Sequence, residues 1–294
     1  MQGKEIKWID TVRAFCMIAV YWVHSEIYYG ISDVACGYAV LPFYVNAFFL
    51  VSGYLFFMKY AGDSGNRPGY WEGVAHIACR LVLPTLLFST LIYVPKKMFH
   101  GEALSFGQYL YDVFGGLSYW FTSALAVAQL VLWTLMRIRR LGLWHCFALS
   151  CVFFVLGVWG FAVTQDSFPW NYHAGLAATL FMSVGGLYFR YEHKVNRWLV
   201  PYGVCLAAVA YALAVALTWH SQSLAVIVPF HVDFPGLTVV FCSLVCLVAL
   251  ARVLPSLRWI RFVGRNSIVF YFFSGVMPAV WSTVLRLCFP ELQC

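Results

Sequence analysis

The sequence predicts an all-α membrane protein, a polytopic bundle of about nine to ten transmembrane helices with its N-terminus in the cytoplasm. Two observations predict this fold class. Of the 294 residues, 62% are hydrophobic and only 11% are charged, which excludes a soluble globular protein of this length. The apolar residues also fall into separate stretches of about 20 residues, the length that a helix needs to cross a bilayer. We therefore expect a single transmembrane domain over residues 1–294.

Nine apolar stretches are candidate transmembrane helices. In chain order they cover residues 8–29, 38–58, 77–95, 118–136, 142–163, 172–189, 198–218, 236–252 and 266–288. Two further stretches are ambiguous, because 104–116 is semi-polar and aromatic and 221–234 is short and contains Pro229. Each is expected to form a re-entrant or interfacial helix, and if one of them spans the bilayer the bundle has ten helices.

The distribution of Lys and Arg predicts the orientation of the bundle. If crossings alternate from a cytoplasmic N-terminus, most cations fall on the cytoplasmic side, at 4–7, 59–80, 137–140, 190–197 and 252–265. The same bias explains the net charge of +7, so that charge indicates no nucleic-acid partner. We expect an integral multi-pass protein of the inner (plasma) membrane. The ten cysteines lack metal-ligand spacing, and no metal or prosthetic group is predicted.

Two ionisable side chains lie inside the first apolar stretch. Arg13 and His24 are eleven residues apart, which places them on nearly the same face of a helix, about 16 Å apart along its axis. Because ionisable groups facing lipid are costly, both are expected to face the protein interior or a wet cavity. His24 can accept a proton from a hydroxyl near neutral pH, and a packing role is the alternative. Asp10, three residues before Arg13, is expected to hold Arg13 in an ion pair.

Polar residues also mark the second and the last stretch. Ser52 and Gly53 interrupt a run of large aromatic residues, a pattern that favours close helix packing. At the start of the last stretch, the side chain of Asn266 or Ser267 is expected to cap the helix. The Asn266 amide can also orient a ligand.

A group of basic residues follows the second stretch on the predicted cytoplasmic side. It consists of Lys59, Arg67, His76 and Arg80. Such residues are usually topology signals. If they converge beside Arg13, they would also form a seat for a polyanionic cofactor, because guanidinium groups bind phosphate oxygens bidentately.

Five motifs in register carry a resemblance to a known family. They are Asp10 with Arg13 and His24, Phe-Phe-Leu-Val-Ser-Gly-Tyr-Leu at 48–55, Arg80 with Pro84, Tyr-Trp-Phe at 119–121 with Gln129, and Gly-Arg-Asn-Ser at 264–267 with Tyr271. Together they resemble the acyltransferase-3 family of integral membrane O-acyltransferases, of the polysaccharide or fucose O-acetyltransferase type. The chain departs from the family at Ile77, which replaces one Arg of an Arg-x-x-Arg pair, and at 272–274, where a histidine is absent.

The resemblance implies transfer of an acetyl group from cytoplasmic acetyl-CoA, the acyl donor, to a hydroxyl of an extracytoplasmic sugar or polysaccharide. The predicted catalytic residues are His24 as general base, Glu26 to orient the imidazole or bind the sugar, and Asp10. Acetyl-CoA is expected to bind Arg13, Lys59, Arg67, Arg80, Ser52, Asn266 and Ser267, and the sugar to bind Tyr28, Trp120, Trp170 and Tyr271. The alternative is a small-solute transporter or permease that uses the polar track from Arg13 to His24. The sequence leaves the oligomeric state open.

Overall fold

The computed structural model describes residues 6–29, 42–60, 68–99, 103–138, 141–166, 169–218, 234–255 and 257–288. About 89% of these residues are helical, and none of them forms a strand. The all-α fold class predicted from the sequence is confirmed.

The described helices follow the predicted stretches closely. The chain begins with α1 (Lys7–Tyr29), α2 (Asn46–Tyr60) and α3 (Tyr70–Ile77), and α3 continues through a π-helical turn at Ala78–Val82 into α4 (Leu83–Phe99). Next come α5 (Phe106–Phe114), α6 (Trp120–Arg137), α7 (Leu143–Thr164) and α8 (Tyr172–Trp198). A second π-helical turn, Leu199–Gly203, leads to α9 (Val204–Thr218), α10 (Phe234–Val253), α11 (Arg258–Arg265), α12 (Ser267–Phe273) and α13 (Val276–Cys288).

Four helices within the described ranges are long and apolar enough to cross a membrane. They cover Tyr70–Met98, Trp120–Arg137, Leu143–Thr164 and Gly236–Val253, and a fifth span is added if α12 and α13 are taken together. A helix lies at each of the nine predicted stretches, so the chain is a multi-pass helical protein. The count of nine to ten crossings and the cytoplasmic N-terminus stay predictions.

The third stretch is longer than the sequence predicts because α3, the π-helical turn and α4 form one helix over Tyr70–Met98. Pro84 explains the π-helical turn. Its nitrogen has no hydrogen to donate, and its ring would crowd the carbonyl four residues earlier, which belongs to Arg80. A local widening of the helix relieves that clash without ending the helix. Arg80 therefore lies on a widened turn rather than on a regular one.

The last predicted stretch, 266–288, is wrong as a continuous helix. Its two halves, α12 and α13, are bent by 55° at Ser274–Gly275. Pro278 has no N–H to donate to the Ser274 carbonyl, and its ring crowds that carbonyl, so a straight helix cannot continue through this point. The bend separates Tyr271 from the apolar residues of α13.

The ambiguous stretch 104–116 contains a helix that is too short to cross a bilayer by itself. It contains α5, which has nine residues and is therefore about 14 Å long, less than half the thickness of a bilayer core. This agrees with the re-entrant or interfacial helix that the sequence favours. The other ambiguous stretch, 221–234, lies outside the described residues except for its last position.

The chain divides into two compact units. The first contains Met1–Phe48, Asn196–Val226 and His231–Cys294, and the second contains Phe49–Val195 and Ile227–Phe230. In the first unit α1 packs against α10, α11, α12 and α13, and α9 packs against α10. In the second unit the helix that contains α3 packs against α6, and α5 packs against α4. The expectation of one domain over residues 1–294 stays a prediction.

Small residues set the closest helix contact of the second unit. Gly53 of α2 lies against the backbone of Met182 in α8, and Gly185 lies against the carbonyl of Leu50. A Cβ atom at either glycine would overlap with the opposing backbone, so α2 and α8 pack at backbone distance. Phe57 fills the next position along the contact, where its ring lies on Gly186.

Candidate active site

His24 lies near the end of the described part of α1 and is half-buried. Its Nδ1 is 2.8 Å from the carbonyl oxygen of Val20, one turn earlier. A carbonyl oxygen can only accept, so Nδ1 must carry the hydrogen of this bond. In the neutral ring the lone pair is then on Nε2, and none of the described residues hydrogen-bonds to that atom. The helix itself therefore sets the tautomer in which Nε2 can act as a base.

The side of α1 next to His24 contacts α12. Tyr21 donates a hydrogen bond of 3.0 Å to the carbonyl of Phe270, and the two rings meet edge to face at 6.5 Å. Ser25 donates to the Tyr21 carbonyl at 2.8 Å. Tyr271, the next residue of α12, is half-buried and its ring lies 5.7 Å from that of Phe272. The two Tyr21 to Phe270 contacts hold the histidine-bearing part of α1 against α12.

The opposite end of α1 carries an ion pair that the sequence does not predict. Asp10 is buried, and its Oδ2 lies 3.3 Å from Nε of Arg265 in α11. Gly264 lies against the Asp10 backbone so closely that a Cβ atom there would overlap with the carbonyl oxygen. Asp10 thus has a partner in Arg265, because tertiary packing brings α11 onto this turn of α1. The expected ion pair of Asp10 with Arg13 stays a prediction. A catalytic role for Asp10 stays a prediction.

The junction between α11 and α12 is formed by Asn266. This residue is the N-cap of α12, but its side chain makes no capping bond. Its amide instead donates back to the Phe262 carbonyl at 2.8 Å, while its own carbonyl accepts from Val269 and Phe270. Ser267 is buried in the first turn of α12. The predicted side-chain cap is wrong, because the preceding helix already offers the amide a carbonyl acceptor.

A basic cluster lies at the end of α2 and the start of the long helix in the second unit. Lys59 Nζ is 2.6 Å from Nε2 of His76, and the same ammonium lies 4.8 Å above the ring of Tyr60. An ammonium group only donates, so Nε2 of this imidazole is the acceptor. Arg80, one turn further on, is close enough to interact electrostatically with His76. Three exposed basic side chains, Lys59, His76 and Arg80, thus share one surface.

The helix end that carries the basic cluster is closely packed. Trp133 of α6 is buried, donates from Nε1 to the Tyr70 carbonyl at 3.0 Å and lies with its ring 4.8 Å from the Tyr60 ring in a tilted arrangement. Gly73 makes room for the indole, since a Cβ atom there would overlap with it. Arg137 lies 4.3 Å over the same indole and donates to the Pro68 carbonyl. The basic cluster therefore lies next to a group of closely packed aromatic side chains.

The other residues predicted from the sequence lie in separate places. Ser52, half-buried, is next to the close contact at Gly53, which agrees with a packing role for this pair. Trp120 begins α6 and is half-buried, with its ring 6.3 Å from Phe121. Trp170 precedes α8 and is also half-buried. The structure does not describe Arg67 or the side chains of Glu26 and Tyr28.

Arg13 belongs to the first unit, and Lys59 and Arg80 belong to the second. Their predicted convergence on one donor molecule stays a prediction. The structure does show that Lys59, His76 and Arg80 cluster, as their order along the chain suggests. It also shows three side chains to which the sequence assigned no contact, namely Arg265, Ser123 and Asn171. None of the three had a sequence signal that singles it out, because the cationic partner that a buried Asp10 needs could equally be the nearer Arg13.

Comparison with known proteins decides the family. The sequence profile of a family described as an acyltransferase domain matches residues 6–288, nearly the whole chain. The chain belongs to the acyltransferase-3 family. Neither the curated proteins nor the solved structures contain a match. As a member of this family with several apolar helices, the chain is a membrane acyltransferase, which favours the enzyme over the transporter alternative.

The motifs from the sequence now have positions in an acyltransferase-3 fold. The Arg13 and His24 motif lies on α1, and the Gly-Arg-Asn-Ser motif packs against the start of the same helix through Gly264 and Arg265. The aromatic Ser-Gly motif lies in the contact of α2 with α8. Arg80 lies on the π-helical turn that Pro84 requires. Two of these motifs thus have a structural explanation in helix packing, whereas the described residues give His24 no partner besides the Val20 carbonyl.

Proposed function

We propose that the protein is an O-acetyltransferase that moves an acetyl group from cytoplasmic acetyl-CoA to a hydroxyl of an extracytoplasmic sugar, with His24 as the general base. Membership in a family of membrane acyltransferases supports the reaction class. The single observation that carries the role of His24 is its hydrogen bond to the Val20 carbonyl, which leaves the lone pair on Nε2.

The chemistry requires one base and no covalent intermediate on the enzyme. Nε2 of His24 takes the proton of the sugar hydroxyl as the oxygen attacks the thioester carbonyl. The tetrahedral intermediate then collapses, the C–S bond breaks, and the proton on the imidazolium passes to the departing CoA thiolate. The products are the acetyl ester and CoA–SH, and His24 returns to its neutral form. The Nδ1 bond to Val20 stabilises the imidazolium during the step, because a charged donor strengthens a hydrogen bond to a carbonyl.

The phosphate groups of the donor are proposed to bind the basic cluster of Lys59, His76 and Arg80. Exposed cations close together attract a polyanion, and the Arg80 guanidinium can bind a phosphate through two parallel hydrogen bonds. Arg13 is proposed as a further donor-binding residue on α1. It lies eleven residues before His24, about 16 Å along the helix axis. A donor whose phosphates bind near Arg13 would therefore reach the level of His24 when its pantetheine arm extends across about half of the bilayer core.

The test replaces the proposed base in purified protein reconstituted in nanodiscs. Radiolabelled acetyl-CoA is the donor, and unacetylated envelope polysaccharide from a strain that lacks the protein is the acceptor. Both His24→Ala and His24→Gln should lower kcat by about 100-fold or more, because general base catalysis contributes a factor of this size. Gln is informative because it can donate a hydrogen bond but cannot take a proton.

The matched control is His193→Ala, an exposed histidine of α8 in the second unit. It should leave transfer unchanged. A His24→Gln protein that transfers acetyl groups at the rate of the unmodified protein would remove His24 from the mechanism. A reconstituted protein that consumes no thioester with this acceptor would contradict the proposed reaction itself.

A further inference from the structure

The residues with positive φ in the described part of the chain all lie in two connections of the second unit. Four residues have positive φ: Gly116 at 68°, Gln165 at 54°, Trp170 at 57° and Asn171 at 50°. All four lie in the connections that follow α5 and α7. Positive φ is costly for a bulky residue such as tryptophan, and such strain persists only where surrounding contacts enforce it.

Those contacts are made by the backbone of Gly115 and Gly116. Trp170 donates from its backbone N–H to the Gly115 carbonyl at 2.7 Å. The Gly116 carbonyl accepts two further bonds, from Nδ2 of Asn171 at 3.1 Å and from Oγ of Ser123 at 2.6 Å. Asn171 and Ser123 are both buried. Asn171 and the Trp170 backbone therefore hold the 169–171 segment onto the 115–116 turn, and Ser123 attaches the same turn to α6.

Glycine at 116 also allows the indole of Trp170 to approach closely. A Cβ atom at this position would lie 2.9 Å from Oγ of Ser123 and 3.0 Å from Cδ2 of Trp170. The indole thus rests on Gly116 while remaining half-buried. An aromatic ring that is fixed from below and not fully covered is a preorganised surface for stacking.

Polar residues precede this indole in the chain. Gln165 and Asp166 are exposed and lie in the connection that leads to Trp170. Asp166 interacts electrostatically with His173, which is buried in the first turn of α8 and contacts Thr164 at 3.2 Å. Gly160 provides the space for that imidazole, since a Cβ atom there would lie 2.7 Å from its Cε1. A fixed, half-buried aromatic face matches the apolar C–H face of a sugar ring.

We propose that Trp170 is the stacking platform for the acceptor, a neutral sugar ring, and that Asn171 and Ser123 are its positioning residues. This inference rests on the proposed function and adds the place where the acceptor binds. Asn171 and Ser123 act through the Gly116 carbonyl and do not touch the sugar.

The experiment measures the KM for each substrate separately, with radiolabelled acetyl-CoA and the unacetylated envelope polysaccharide titrated by mass. Trp170→Ala should raise the acceptor KM about tenfold, as the loss of a central aromatic anchor does in other binding sites. The acetyl-CoA KM should stay unchanged. Trp170→Phe, which keeps a smaller ring, should give an intermediate value. Trp159→Ala, a substitution of an exposed tryptophan in α7, is the control and should change neither KM.

A second variant separates the effect of the hydrogen bond from Asn171 to the Gly116 carbonyl from the effect of the backbone conformation at residue 171. Asn171→Gly keeps the positive φ accessible and removes only the amide that binds the Gly116 carbonyl. It should raise the acceptor KM in the same direction as Trp170→Ala with an unchanged acetyl-CoA KM. This variant also carries the test if Trp170→Ala does not fold.

Two results would overturn the inference. One is an acceptor KM that stays at the unmodified value in both Trp170→Phe and Asn171→Gly. The other is a parallel rise of both KM values, which would indicate a general structural role for the platform. If the unmodified protein shows no His24-dependent transfer, the proposed function fails, and this inference fails with it.

Discussion

At the scale of single residues, the hydrogen bond of His24 to the Val20 carbonyl selects the tautomer of the imidazole. The proposed base is thus prepared by a neighbour on the same helix, and a third side chain is not needed for this purpose. The role of Glu26, to orient the imidazole or to bind the sugar, stays a prediction.

The ion pair of Asp10 with Arg265 gives a prediction at the residue scale. Arg265→Ala should lower the free energy of unfolding by about 1 kcal/mol, because it leaves the buried Asp10 carboxylate unpaired. The value is modest because the Arg265 side chain is 45% exposed and water screens the pair. Thermal unfolding in detergent measures the change.

The control is Arg258→Ala, which removes an exposed cation from the same helix. It should leave stability unchanged. Equal losses in the two variants would show that the ion pair is not the source of the effect.

At the scale of helices, glycines determine which elements meet. Gly264 lets α11 approach the Asp10 backbone, as Gly53 and Gly185 let α2 and α8 approach each other. Helix association within lipid depends on such close packing, since burial of apolar surface supplies little driving force there. A side chain added at one of these glycines would overlap with the backbone of the opposing helix, so that one of the two helices would have to shift.

Gly264→Ala tests this packing. The added Cβ atom would overlap with the Asp10 carbonyl, so α11 must shift away from α1 at a cost of about 1–3 kcal/mol. The expected result is a lower unfolding temperature and a loss of the Asp10 to Arg265 contact. Gly275→Ala is the matched control, because no atom lies within 4 Å of the added Cβ. A Gly264→Ala protein as stable as Gly275→Ala would contradict the packing argument.

At the scale of the whole molecule, the proposed reaction requires that the phosphates of the donor bind the basic cluster of the second unit and Arg13 of the first unit. Lys59→Ala combined with Arg80→Ala should raise the acetyl-CoA KM about tenfold, since hydrogen bonds between charged groups at an exposed site are lost. The effect should shrink at high salt, which screens exposed charges. Initial rates at varied acetyl-CoA and salt measure both trends.

Arg13→Ala should act in the same direction on the donor KM. Lys97→Ala is the control, because it removes a cation from the far end of the long helix that bears Arg80. If Lys97→Ala raises the donor KM as much as the double variant, net charge rather than the basic cluster determines donor binding.

The sequence alone determined the helices of this protein and their order. Helix formation depends on local hydrogen bonds and on the length of an apolar stretch, and both are visible in a linear chain. The π-helical turn at 78–82 and the bend at 274–275 are explained by Pro84 and Pro278, but the apolar pattern of the sequence does not predict either of them. The family motifs and His24 could also be identified from the sequence, because they are patterns of residues along the linear chain.

Only the tertiary structure decided which side chains are partners. Asp10 and Arg265 are 255 residues apart, and no local rule favours Arg265 over the nearer Arg13. The bonds from Asn171 and Ser123 to the Gly116 carbonyl likewise depend on two connections that meet only when the helices have packed. Contacts of this kind arise where helices that are far apart in sequence approach each other closely. The sequence shows the glycines that allow such an approach, but it does not show which residues they will meet in the folded protein.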